Sequence, residues 1–240
     1  MFGNLLRINL HQSQDEAAKL GDPVRDWEWD MASNTVNAYA DPASLKVVFP
    51  AAMFQPPFFD AAGDKASNYG AIGATIAHEL SHHFDETGAD YDASGSVARW
   101  WNQGDTDSYH ALANRLVAQY DGYEPLPSAK VSGKLTMGEN AGDLAGLTLA
   151  YDAWQLSLGG KEPAVIGGVG GEQRFFLGWA AIWRRNISEA SLRSRLATDP
   201  HAPSEQRAAI ARNMDSWYRA FDISPGAALY LAPEDRVRIW

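Results

Sequence analysis

The stretch Thr75-Ile76-Ala77-His78-Glu79-Leu80-Ser81-His82 constrains this chain more than any other. Its His-Glu-x-x-His spacing carries chemistry on a helix, where residues four apart project from one face about one turn apart. Two imidazoles so placed can share one zinc ion, and Glu79 beside them can take a proton from a water on that ion. The flanks support a helix: Asn68 is a candidate cap, and Ala71, Ile72, Ala74, Ile76, Ala77 and Leu80 form a mostly apolar run. Two histidines bonded to carbonyls on an ordinary core helix would give the same octet. The third ligand therefore decides the matter.

Composition limits what that ligand can be. The 240 residues include no cysteine, so a zinc ion here must be held by histidine and carboxylate. The length suffices for one large core, and 27 aromatic residues suggest that it is well filled. A net charge of −10 argues against nucleic acid or an anionic membrane surface as the main partner. Arg184-Arg185 is the only adjacent basic pair. No apolar run reaches the roughly 18 residues that a membrane span needs. The first ten residues lack the basic start and unbroken apolar stretch of a signal peptide, and read instead as the middle of an amphipathic helix. The absence of cysteine fits a cytoplasmic protein and an exported bacterial one alike.

In chain order, residues 4–20 read as a helix with Leu5, Leu6, Ile8 and Leu10 inward, ended by Gly21 and Pro23. Residues 35–39 and 45–49 read as short strands separated by Asp41-Pro42. Such a strand just ahead of the histidine helix has an edge to which an extended peptide can add. Asp85, Asp90, Asp92 and Gly95 fall in a polar loop, without the full pattern of a calcium loop, and are expected to be solvated. Residues 107–120 form an amphipathic helix, and residues 130–136 are expected to be extended. Glu139 and Asp143 then stand four apart at the head of an otherwise apolar helix running to about Gln155. If Glu139 is the third ligand, Asp143 can accept the free ring N–H of a zinc histidine. A glycine-rich connection over 163–171 leads to an apolar helix around Phe175–Trp183 and a short helix over 188–197. A turn, Asp199-Pro200-His201-Ala202-Pro203, follows, and the terminal Trp240 is expected to dock. The chain reads as α+β and mainly helical, with a small sheet.

Several separated stretches resemble the neprilysin-type zinc endopeptidases. They are Val36-Asn37-Ala38-Tyr39, Val48-Phe49-Pro50-Ala51-Ala52-Met53-Phe54-Gln55-Pro56-Pro57-Phe58-Phe59 and His78-Glu79-Leu80-Ser81-His82-His83-Phe84-Asp85. Gly138-Glu139-Asn140, Gln173-Arg174-Phe175-Phe176-Leu177-Gly178, Thr198-Asp199-Pro200-His201-Ala202-Pro203 and Arg236-Val237-Arg238-Ile239-Trp240 continue them in family order. The resemblance covers nearly the whole chain and is to the C-terminal catalytic part of such proteins. It implies a zincin fold, with residues 1–20 leading in from an N-terminal helical portion and 21–240 forming the catalytic domain.

The resemblance implies one Zn2+ per chain on His78, His82 and Glu139, with Glu79 as general base. It implies Asp143 and Asp85 as carboxylates behind the ligands, His201 as oxyanion stabiliser and Arg207 as the partner of a substrate carbonyl. Asn37 and Ala38 would bind the peptide backbone. Met53, Phe58, Ile182 and Trp183 would line the pocket for a large apolar residue after the scissile bond. Peptides are the implied partners, and a periplasmic or extracellular bacterial location is the family's. Departures include His83 and Ala89, the small pair Ala141-Gly142, and Ala208-Ala209-Ile210 after Arg207. Two readings compete with this one: a thermolysin-like enzyme with the same ligand set, and a metal-bound peptide-binding module without turnover. A purely structural site would have no use for Glu79. Asp85 and Gly88 occupy the positions where the metzincins carry a glycine and a third histidine.

Overall fold

The computed structural model describes residues 2–25 and 27–239. Contacts divide the chain into two units, residues 1–30 and 31–240. In the first unit, helix α1 (Phe2–Ala18) is followed by a returning segment. The two are joined by ion pairs from Lys19 to Glu28 at 2.6 Å and from Arg25 to Asp15 at 3.7 Å. Leu5, Leu6, Ile8 and Leu10 were expected inward but are 51%, 54%, 52% and 58% exposed. The helix is right, but the apolar stripe is not buried.

The second unit begins with a hairpin, β1 (Tyr39–Asp41) and β2 (Lys46–Val48), paired antiparallel from Tyr39↔Val48 to Asp41↔Lys46. The turn closes on the Asp41 carboxylate, which accepts from the Ala43 N–H at 3.1 Å and from the Ser44 hydroxyl. The first strand starts where the expected one ends. Asn37 and Ala38 therefore precede the paired ladder.

The histidine helix is built in three pieces. Helix α2 (Lys65–Asn68) is capped by Asp64, whose carboxylate accepts from the Ser67 N–H at 3.0 Å. The expected cap, Asn68, instead clasps the backbone of Asp60, accepting from its N–H at 3.0 Å and donating to its carbonyl at 2.6 Å. A π-helical turn over Tyr69–Gly73 then leads into α3 (Ala74–Ser81). Such an insertion re-aims the face that follows it.

Helix α4 (Gln103–Asp121) opens on a capping box between Asn102 and Asp105. The segment before the next helix is a turn rather than extended, closed by the Thr136 N–H and hydroxyl, which donate to the Ser132 carbonyl at 3.1 and 3.0 Å. Helix α5 (Met137–Ser157) runs through the interior, with every residue from Asn140 to Leu147 buried. It lies against α3 with glycines at the crossing. A Cβ on Gly146 would stand 2.5 Å from the Ala74 carbonyl oxygen and 2.7 Å from the His78 nitrogen. A side chain there would push the two helices apart.

Helices α6 (Gly171–Ile182), α7 (Glu189–Thr198), α8 (Ser204–Ala208) and α9 (Asp215–Phe221) complete the body. Leu116, Leu147, Trp154, Phe175, Trp179 and Ile210 form its core, with Trp154 and Phe175 stacked at 5.6 Å. The tail docks through Val237, which is fully buried and donates its N–H to Asn213 Oδ1 at 2.9 Å. Trp240, expected to dock, lies outside the described residues. Among the described residues one two-stranded sheet accompanies the helices, the mainly helical α+β arrangement expected. No helix among them is long and apolar enough to cross a membrane.

Candidate metal centre

Helix α3 delivers His78 and His82 one turn apart, with their rings edge to face at 4.8 Å and their Nε2 atoms 3.1 Å apart. Each ring has a carboxylate behind it. His82 Nδ1 lies 2.7 Å from Asp85 Oδ2, and His78 Nδ1 lies 3.0 Å from Asp143 Oδ1, although the second contact is out of line for a hydrogen bond. Carboxylates at both Nδ1 positions favour the tautomers with Nδ1–H, which aims two Nε2 lone pairs at one point. Asp85 was expected both in a solvated loop and behind a ligand. It is buried, and its other oxygen accepts the Thr87 and Gly88 N–H groups at 2.8 and 3.0 Å.

The first turn of α5 brings Glu139 to the same point. Its Oε2 is 3.2 Å from His78 Nε2, and its Oε1 is 3.9 Å from His82 Nε2. Donor atoms bound about 2.0–2.1 Å from a tetrahedral zinc stand about 3.3 Å apart, so these separations suit such a set. Glu139 Oε2 is buried and makes no hydrogen bond, despite lying between two imidazole nitrogens. A buried carboxylate oxygen in that condition fits a cation, and the donor set fits zinc. Glu79 also stands close, with one carboxylate oxygen and the two ring nitrogens all within 4.8 Å of one another. Two carboxylates thus stand near the paired imidazoles, and Glu139 Oε2 is the one left buried without a hydrogen bond.

The surrounding charges hold these states in place. Burial alone would raise Glu139, but the His201 and His78 contacts hold its carboxyl well below the usual range. Burial likewise opposes the charge on Asp143, and Arg207 beside it keeps that carboxyl below its ordinary value. Burial pushes the Glu79 carboxyl up, with the two histidines opposing. Three carboxylates on one site therefore sit in distinct environments, and only Glu79 is shifted toward holding a proton.

His201 reaches the centre from its turn, with Nε2 3.1 Å from Glu139 Oε2. Asp199 holds the ring by Nδ1 at 2.9 Å and also accepts the His201 backbone N–H at 2.9 Å. Arg207 on α8 is committed to Asp143, donating from Nε at 2.7 Å and from Nη2 at 2.6 Å, and its guanidinium lies 4.1 Å from the Trp183 ring centroid. Its Nη2 is also 3.9 Å from Glu139 Oε2. In the stretch after it, Ile210 is 1% exposed within the core. Asn37, Ala38, Met53, Phe58, Ile182 and Trp183 line one cleft of about 1050 Å3 together with His78, Glu79, His82 and Glu139. Every site residue expected from sequence thus comes together. Sequence reasoning missed Asp199 as the partner of His201 and the Asp143–Arg207 fork. Asp199, two positions before His201, was within sight as a local turn former, whereas the fork joins residues 64 apart.

Two imidazoles from one helix face a carboxylate from another in a mainly helical body, an arrangement in keeping with the zincin fold class. Comparison with known proteins narrows the class. The signature described as "Peptidase family M13" matches residues 37–237, and the chain belongs to that family. It is 36% identical over 223 residues to the neutral endopeptidase of Lactococcus lactis subsp. lactis, covering 92% of this chain and 34% of that one. Neprilysin-3 of Drosophila melanogaster is 31% identical over 244 residues, covering 100% and 31% respectively. The Mycobacterium tuberculosis zinc metalloprotease Zmp1, solved with an inhibitor, matches with a TM-score of 0.91 at 47% identity over 95% of this chain and 36% of that one. The chain thus spans about a third of the length of the curated relatives it matches.

Proposed function

We propose that this chain is the catalytic part of a zinc endopeptidase, holding one zinc on His78, His82 and Glu139. The observation that carries the reading is the convergence of His78 Nε2, His82 Nε2 and the orphaned Glu139 Oε2, with a buried Glu79 beside them. A bound zinc would supply a Lewis acid that polarises a peptide carbonyl and acidifies water toward a pKa of about 7. The rest falls to the chain's own residues. Glu79, buried beside the two histidines, takes the proton of the attacking water and passes it to the leaving amine. His201, its ring held at Nδ1 by Asp199, donates to the developing oxyanion. Arg207 keeps Nη1 free of Asp143 and offers it to a substrate carbonyl.

The substrate lies as an extended peptide along Asn37 and Ala38, which precede the hairpin ladder. Met53, Phe58, Ile182 and Trp183 form the apolar wall for a large side chain following the cleaved bond. The greater length of the relatives supports a further portion of the same protein as a partner. A fluorogenic peptide with a large apolar residue after the cleavage site, assayed with and without a chelator and after zinc is restored, tests the reading. Zinc-dependent cleavage is expected. Tight peptide binding with no cleavage at full zinc loading overturns it.

A further inference from the structure

The only adjacent basic pair in an acidic chain, Arg184-Arg185, lies in the cleft. Both side chains are exposed, and both line the same cavity as the metal-site residues. The other two arginines of the cavity are already committed: Arg207 to Asp143 at 2.6 Å, and Arg195 to Asp199 at 2.7 Å. The Arg184 side chain makes one long contact, Nε to the Ala181 carbonyl at 3.4 Å at the end of α6. Arginines past a helix C-terminus often serve its last carbonyls, and that contact is of this kind. It leaves both terminal nitrogens of Arg184 uncommitted. Arg185 has no hydrogen-bond or ion-pair partner among the described residues.

We infer that Arg184 and Arg185 form a subsite for a carboxylate of the bound peptide. The inference rests on the peptidase reading and gives it a substrate class. Ile182 and Trp183, immediately before the pair, are part of the proposed apolar wall. Consecutive Cα atoms are about 3.8 Å apart, and an extended peptide advances about 3.3 Å per residue. A carboxylate one or two residues beyond the large apolar side chain therefore comes within reach of the two guanidinium groups. Planar guanidinium groups match carboxylate geometry better than ammonium does. Two sources share this chemistry: an Asp or Glu side chain, and the C-terminal carboxylate of a short peptide. In a chain of net charge −10, an uncommitted pair of cations inside the cleft offsets the general repulsion of acidic peptides.

The test uses the zinc-loaded 240-residue chain and fluorogenic peptides that share a large apolar residue after the cleaved bond. One set carries Glu or Gln two positions beyond the bond. A second ends there as a free acid or an amide. For at least one set, kcat/KM is expected to favour the carboxylate about fivefold, the upper end for a solvent-exposed ion pair, and the preference should fade in 1 M salt. Arg184→Ala/Arg185→Ala should bring that ratio to about one. Arg193→Ala/Arg238→Ala, which removes the same charge outside the cleft, should leave it standing. The set that responds identifies the source. Equal rates in both sets, or a preference that survives the Arg184/Arg185 substitution, overturns the subsite. Where no peptide is cut, the peptidase reading fails by itself. Anisotropy of the same peptides labelled with fluorescein then decides the subsite: a carboxylate preference in binding, lost in the cleft variant, upholds it, and no preference overturns it.

Discussion

Asp143 and Arg207 form a two-point fork, with Nη2 to Oδ1 at 2.6 Å and Nε to Oδ2 at 2.7 Å, and Asp143 is fully buried. The same carboxylate stands 3.0 Å from His78 Nδ1. One aspartate thus couples the residue proposed to meet substrate with a residue proposed to hold metal. Arg207 keeps the aspartate charged, and the aspartate faces Nδ1 of the imidazole.

Arg207→Ala should therefore affect more than substrate binding. It leaves a buried carboxylate without its cation, a change that costs about 3–5 kcal/mol where a buried pair is broken from one side. A large fall in Tm is expected, together with a raised KM and a smaller change in kcat. Thermal unfolding with steady-state kinetics checks both. An unchanged Tm would mean that the fork does not stabilise the fold.

Glu79→Gln should keep the metal and lose turnover. The amide fills the same space but accepts no proton, so kcat should fall at least ~100-fold, the lower end for general-base catalysis. Near-normal kcat in a zinc-loaded variant would remove Glu79 from the reaction.

His201→Ala should lower kcat with little change in KM, because a bond to a developing oxyanion strengthens in the transition state. Asp199→Asn probes how the ring is held. It should lower kcat by less than the loss of the ring itself, since the imidazole stays while its 2.9 Å partner at Nδ1 weakens. Kinetics on the pair decide this, and an unchanged kcat in His201→Ala contradicts the role.

Asp64 anchors the start of the histidine helix and binds Arg174 at 3.0 Å. Burial works against its charge, but Arg174 and the Ser67 N–H hold the carboxyl below its ordinary value of 3.8. A carboxyl depressed by folding stabilises fully at pH above its unfolded value. That contribution disappears as pH falls through the lower folded value, so it is lost below 3.8. Asp64→Asn keeps a capping oxygen but loses the charge that faces Arg174, so it should cost about 1 kcal/mol at neutral pH, and the difference should shrink in acid. Denaturation at pH 7 and pH 3 checks it, and a gap that widens in acid contradicts the assignment.

How much of this was legible in the sequence follows from the range of each interaction. His78, Glu79 and His82 are fixed by a local spacing, and so are Glu139 and Asp143, which helical periodicity puts on one face. The cap at Asp64 was displaced to Asn68 because both are capping types four residues apart, and only the fold gives Asn68 another partner in Asp60. The π turn at Tyr69–Gly73 leaves no pattern that five residues can carry. Asp85 looked like one of several loop aspartates, and its burial follows from His82 and two loop N–H groups. The stripe of α1 is amphipathic in sequence, yet amphipathicity says only that a face is apolar, not what covers it.

Zinc content of the purified protein tests the centre most directly, by elemental analysis of the unaltered chain, Glu139→Ala and Glu79→Gln. The account predicts one zinc per chain in the unaltered protein and in Glu79→Gln, and a sharp loss in Glu139→Ala. Undiminished zinc in Glu139→Ala, with loss in Glu79→Gln instead, would contradict it and give the third ligand position to Glu79.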